Sequence, residues 1–289
     1  MKLPKIRIFK ESVNRSTAGN VAIFIILLLF AAFFLLPVIY VVMSAFKPLD
    51  EILIFPPRFF VKHPTPTNFT MLGIYVNDFW VPLSRYIFNS VFMTVLGVGG
   101  GLVFGSMAAY PLSKHQFPGK AVFNQIIVLS LLFSAAVTEV PRYIVMSVMG
   151  LIDTQWSIIL PACGATLGLY LMRNFIGQIN NSMIEAARID GCGEFGIYNK
   201  IIMPNVKPAW LTVLVLTFNT TWNNQGTTFI YTENLKGLAN IITQLNSGGT
   251  ARLGLAAAAT LIMMLPPMIF FLFSQNMIVE TMSTSGLKE

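Results

Sequence analysis

Met183-Ile184-Glu185-Ala186-Ala187-Arg188-Ile189-Asp190-Gly191, followed at a distance by Ile201-Ile202-Met203-Pro204, is a polar, helix-favouring island in an otherwise apolar chain. Glu185, Ala186, Ala187 and Arg188 are good helix formers, and the small alanines leave one face shallow enough to dock closely against another surface. Gly191 permits a sharp break at the end of that helix. Pro204 and Pro208 then mark the return into the next apolar stretch.

On both sides of the island the charges disappear. Uncharged runs lie at Ser16–Phe46, Tyr86–Ser113, Ala121–Thr138, Thr154–Met172, Pro208–Thr232 and Leu253–Val279. Each supplies about 18 to 25 residues, enough to span a bilayer as a helix. With 55% hydrophobic and 11% charged residues and a mean hydropathy of +0.68, the chain is too apolar for a soluble domain. The expected fold is an all-α polytopic membrane protein with six transmembrane helices. A shorter run, Tyr143–Ile152, is expected to be interfacial or re-entrant.

The net charge of +7 is sorted by loop rather than gathered into a nucleic-acid patch. With the N-terminus inside, twelve Lys and Arg fall on the cytoplasmic side and seven outside, while the acids divide six and six. The positive-inside rule then places both termini, and the Glu185 loop, in the cytoplasm. The divisions follow: a basic leader at 1–17, a first transmembrane helix at 18–44, an outer loop at 45–85, a five-helix core at 86–280 containing the loop 178–206, and a cytoplasmic tail at 281–289. The leader reads as orientation charge, ahead of a segment lying on anionic inner-leaflet headgroups. The first apolar run is too long for a signal-peptide core and reads as a retained helix. Cys163 and Cys192 do not make a disulfide framework, and His63 and His115 sit near no Cys, so no metal cluster is expected.

Written as Glu-Ala-Ala-x3-Gly-x9-Ile-x-Met-Pro, the island resembles the signature loop of the membrane permeases of bacterial ABC importers, with Met203 where that family usually has Leu. The resemblance covers about Tyr86 to Lys288. It implies the type I importer permease fold, in which the loop forms a coupling helix seated in a cleft of the ATPase. Glu185, Ala186, Ala187, Asp190, Gly191, Ile201 and Pro204 are then the ATPase-coupling residues. It also implies two ATPase subunits that bind ATP and Mg, a second, different permease subunit, and an extracellular or periplasmic solute-binding protein.

Other stretches fit the carbohydrate branch of that family. Tyr110-Pro111-Leu112-Ser113-Lys114 resembles the short inner loop after the second helix, and Met149-Gly150-Leu151-Ile152-Asp153-Thr154 a turn before the fourth. The tail from Val279 to Lys288 resembles endings of permeases for complex oligosaccharides. The second span is crowded with Gly97, Gly99, Gly100, Gly101 and Gly105, and reads equally as a sliding helix or a tightly packed one. Glu139 and Arg142, three apart, are candidates for a pair at a helix end.

Asn219, Trp222, Asn223 and Asn224 form the most polar stretch within any span. Unsatisfied amides are costly in hydrocarbon, so these side chains should face a cavity or a partner helix. An aromatic ring flanked by amides suits a sugar, and the Trp-Asn pair resembles one in sugar permeases; the alternative is an aromatic anchor at the interface. The phosphate-binding Gly-x4-Gly-Lys-Ser/Thr pattern is absent, as are a nucleophile triad and an intramembrane carboxylate. The expected function is therefore ATP-driven oligosaccharide uptake by alternating access, with hydrolysis in separate subunits. A permease of the same build for a peptide, polyamine or other solute is the alternative, ahead of a membrane enzyme or scaffold.

Overall fold

The computed structural model describes residues 17–77 and 81–285. The basic leader up to Ser16, the aromatics Phe79 and Trp80 of the outer loop, and the last tail residues 286–289 lie outside them. The long helices described grow from the apolar runs. In order they are α1 (Thr17–Ala45), α2 (Leu49–Ile52), α3 (Thr67–Asn77), α4 (Leu83–Lys114), α5 (Lys120–Ser130), α6 (Ala135–Val148), α7 (Trp156–Cys163) and α8 (Thr166–Gly177). There follow α9 (Asn181–Ile189), α10 (Glu194–Ile197), a π turn at Tyr198–Ile202, α11 (Met203–Asn205), α12 (Lys207–Trp222), α13 (Leu238–Ser247) and α14 (Leu253–Ser285).

Four stretches are long and apolar enough to cross a membrane: Gly19–Ala45, Leu83–Lys114, Trp156–Gly177 and Thr250–Gln275. Two bent pairs, α5 with α6 and 194–205 with α12, bring the total to six if each is one span. The third span differs from its expected form. It breaks after Ser130, and α6 leaves at 116° to α5. Ser130 Oγ donates back to the Ile127 carbonyl at 2.8 Å, and Thr138 Oγ1 to the Ala135 carbonyl at 3.0 Å. Hydropathy alone carries no record of such a change of direction. Of the segment expected at Tyr143–Ile152, residues 143–148 are the latter part of a helix that begins at Ala135, and 149–152 form the turn after it.

The fifth span ends earlier than its uncharged run. Helix α12 stops at Trp222, because Asn224 Oδ1 accepts from the Gly226 N–H at 2.9 Å and Gly226 adopts φ +67°. The second span runs further, since the expected inner loop Tyr110–Lys114 is the last turn of α4. In the outer loop α3 follows Pro66 and buries Leu72 and Val76 against α14 and α4.

Helix α4 is the centre of the packing, touching α7, α8 and α12. Its glycines make that contact possible. A Cβ on Gly101 would sit 2.9 Å from the Ala162 carbonyl oxygen, and one on Gly100 would sit 2.3 Å from Cys163 Sγ. Gly97 faces Ala162 at 3.0 Å, whereas Gly99 and Gly105 face open space. Tight approach thus explains three of the five glycines, at the point where α7 gives way to α8 around Gly164. At its first turn α4 is pinned to the segment before α13. Tyr86 donates to Glu233 at 2.7 Å, buried Asn89 donates to the carbonyls of Asn234 and Lys236, and Ser90 Oγ accepts from the Leu238 N–H.

The same end is tied by Asp153 of the Gly-Leu-Ile-Asp-Thr turn. Its carboxylate accepts from the N–H groups of Tyr231 and Thr232 at 2.9 and 2.7 Å and from the Thr232 hydroxyl at 2.5 Å. The Thr232 hydroxyl above all, then its N–H and that of Tyr231, hold the Asp153 carboxyl below its ordinary range. Glu139 does not pair with Arg142 among the described residues; it accepts from Thr228 Oγ1 at 2.9 Å. That contact ties α6 to the segment after α12 instead.

Candidate functional site: the α9 loop and the polar end of α12

Helix α9 starts where Asn180 Oδ1 accepts the Ser182 N–H at 3.0 Å, a side-chain cap for an otherwise orphaned donor. It ends in a paired closure. The Gly191 N–H bonds the Arg188 carbonyl at 3.0 Å, and the Cys192 N–H bonds the Ala187 carbonyl at 2.9 Å. This closure needs a left-handed residue, and Gly191 supplies φ +79° with nothing near its absent Cβ. Caps at both ends let so short a helix persist although little of it is buried.

Its two faces differ. Ile184 is 3% exposed in the core formed by α4, α8 and α12, and Ala187 packs on the same core. Glu185, Ala186 and Asp190 are exposed, and Ala187 is half-buried. Ile201 is half-buried and packs inward with the π turn, whereas Pro204 is exposed. Ile189 at the end of α9 is 86% exposed, and Phe195 on α10 is 70% exposed. Apolar side chains standing out of a polar loop mark a docking surface. Sequence reasoning passed over both, although a lone Ile and Phe among polar residues was the available signal.

A polar hub joins this loop to α4. Glu194 accepts from the Tyr110 hydroxyl at 2.7 Å and pairs with Arg188 at 2.8 Å, and His115 Nε2 stands 3.4 Å from it. The Tyr110 hydroxyl, with Arg188 and against the opposing effect of burial, holds the Glu194 carboxyl below its usual range. One level deeper the Ser106 and Tyr198 hydroxyls lie 2.6 Å apart. Lys114 closes the set, donating to the carbonyls of Gly177 and Ile179 and to Asn181 Oδ1. Side chains thus link the α9 loop to the last turn of α4. Sequence held no sign of this hub, because Tyr110 and Glu194 are 84 positions apart.

At the far end of α12, Asn219, Asn223 and Asn224 are exposed, with Asn223 Nδ2 donating to the Asn219 carbonyl at 2.9 Å. Trp222 faces a neighbouring helix, one of the two surroundings expected for this stretch, and not a cavity. It is 3% exposed, stacks on Phe218 at 5.9 Å, and donates its indole N–H to the Met263 carbonyl of α14 at 2.9 Å. Met263 precedes Pro267 by four, and proline has no N–H to complete that helical bond. The indole thus satisfies a carbonyl that α14 leaves orphaned, and its ring is not open to a solute.

A bundle of membrane-crossing helices that projects a doubly capped, apolar-tipped helix from one end has the build of a membrane permease with an external docking helix. The chain belongs to the family described as binding-protein-dependent transport system inner membrane component, whose model matches residues 101–284. It is thus a membrane subunit of a transport system rather than an enzyme. It is 31% identical to the polygalacturonan/rhamnogalacturonan transport system permease protein YtcP of Bacillus subtilis, over 71% of this chain and 69% of that one. To the probable ABC transporter permease protein YurM of the same organism it is 30% identical, over 93% and 89%. Its fold matches the crystal structure of a bacterial ABC transporter involved in the import of the acidic polysaccharide alginate. The TM-score is 0.77 at 23% identity, covering 92% of this chain and 99% of that one.

Proposed function

We propose that this chain is one permease subunit of an ATP-driven importer of oligosaccharides, with both termini in the cytoplasm. The observation that carries the proposal is α9 itself, rooted by Ile184 yet presenting Glu185, Ala186 and Ile189 outward. In this reading α9 is the coupling helix and seats in an ATPase cleft, Ile189 and Phe195 filling apolar hollows and Glu185 meeting a basic group. Asp190 and Gly191 end the helix, and Ile201 and Pro204 hold its return to α12.

Two ATPase subunits bind ATP and Mg, a second and different permease completes the pore, and a solute-binding protein delivers sugar. Closure of the ATPase dimer moves α9, the Glu194 hub passes that movement to α4, and the paired permeases exchange inward- for outward-facing states. Asn219, Asn223 and Asn224 line the solute path, where amides match hydroxyls, and Trp222 holds that end of α12 on α14. Relatives named for polygalacturonan/rhamnogalacturonan and for arabinooligosaccharides support an oligosaccharide substrate.

The test is binding-protein-stimulated ATP hydrolysis by the purified complex in lipid, with wild type and Glu185→Ala, across a panel of oligosaccharides. Stimulation by one sugar, abolished by Glu185→Ala in a complex that still assembles, is the expected result. Stimulation unchanged by Glu185→Ala would remove the coupling role, and no response to any sugar would remove the substrate class.

A further inference from the structure

Away from the α9 loop, α1 and α14 enclose a groove with a cavity of about 640 Å³, within the size range of small-molecule sites. Its walls include Val41, Ser44 and Lys47 at the end of α1, Phe55 from the following loop, and Ala257 and Thr260 on α14. Position along the chain gives its depth in the membrane. Lys47 lies two residues past Ala45, where a membrane-crossing helix ends, and so at headgroup level. Thr260 lies seven residues into α14, roughly 10 Å along it at 1.5 Å per residue. The groove therefore runs from the interface into hydrocarbon, polar at one end and apolar beyond.

Lys47 is unusual for a lysine at that level, being only 3% exposed. Its ammonium donates to the Arg58 carbonyl and lies 5.0 Å from the Tyr40 ring, and it forms no ion pair among the described residues. Glu51, which lines the same cavity, is occupied elsewhere. Its two oxygens accept the backbone N–H groups of Lys62 and His63 at 3.0 and 2.8 Å. An ammonium has three donors, of which the Arg58 carbonyl takes one, and a phosphate beside it would take the other two as charge-assisted bonds. The rim is apolar and uncovered: Phe55 is 90% exposed and Leu53 56%.

We propose that this groove holds a membrane phospholipid, its phosphate against Lys47 and an acyl chain running between α1 and α14. The ligand must be amphipathic with an anionic head at the interface, because the site is itself divided in that way and at that depth. A lipid chain also covers Phe55 and Leu53.

Native mass spectrometry of the protein purified with its associated subunits tests this, with dioleoylphosphatidylglycerol and the phosphate-free dioleoylglycerol as probes. One phosphatidylglycerol per copy of this chain is expected, with dioleoylglycerol binding about tenfold more weakly, the scale of one charge-assisted hydrogen bond. Lys47→Arg should keep the lipid and Lys47→Ala should lose it about tenfold. Since Lys47→Ala also frees the loop held at Arg58, Ala257→Phe provides a second reading: it fills the groove, leaves Lys47 in place, and should expel the lipid. Equal binding of the two probes, or retention of phosphatidylglycerol by both Lys47→Ala and Ala257→Phe, overturns the proposal. So does a wild-type complex without lipid, which would place another subunit in the groove.

Discussion

Replacing Trp222 by Phe should destabilise the protein through one atom on another helix, the Met263 carbonyl, which accepts the indole N–H at 2.9 Å. That carbonyl lacks its helical donor because residue 267 is proline. Leaving a buried acceptor unpaired costs about 1–3 kcal/mol, and the smaller ring adds a packing loss of about 1 kcal/mol. Pro267→Ala returns a backbone N–H to Met263, so in that background Trp222→Phe should cost only the packing part. The double-mutant cycle should therefore show about 1–3 kcal/mol of coupling between positions 222 and 267. Pro266→Ala is the control, since the N–H it restores faces Ile262 and should rescue nothing. Thermal unfolding of the detergent-solubilised protein reads the effect, about 2–4 °C per kcal/mol for a chain of this order of size. An equal cost of Trp222→Phe in the wild-type, Pro266→Ala and Pro267→Ala backgrounds would refute the reasoning.

Three further outcomes follow from particular contacts. Gly101→Ala should destabilise by about 1–2 kcal/mol, because a methyl pressed on the Ala162 carbonyl at 2.9 Å outweighs a helix gain of about 1 kcal/mol. Gly99→Ala, facing open space, should be neutral or stabilising in the same melts. Gly191→Ala should cost about 1–2 kcal/mol at the end of α9 by forcing a side chain to φ +79°, seen as faster amide exchange at Gly191 and Cys192. Asp153 gives a pH dependence. Its folded carboxyl titrates below the ordinary value, so its bonds to Tyr231 and Thr232 are fully in force above about pH 4 and are lost as pH falls through the depressed value. Exchange protection at the Tyr231 and Thr232 amides should fall on acidification, and Asp153→Asn should abolish that fall.

The sequence by itself determined the membrane class, the apolar runs that become α1, α4 and α14, and the α9 island with its Gly191 stop. All of these are local. A charge-free run must leave water whatever surrounds it, and a capped helix closes on its own backbone. Tertiary structure decided what depends on distant partners. Trp222 looked like a sugar-stacking ring because its neighbours are amides, yet its place is set by a proline on α14. Ala186 and Ala187 read alike until the fold left the first exposed and half-buried the second on the core around Ile184. The bend after Ser130 left no mark in hydropathy, which records whether a segment avoids water and not which way it turns. The glycines of α4 kept two readings until α7 was laid against them, and only then were Gly97, Gly100 and Gly101 distinguished from Gly99 and Gly105. The Glu194 hub had no local signature, because a carboxylate and a tyrosine 84 residues apart acquire a joint role only when the fold brings them to 2.7 Å.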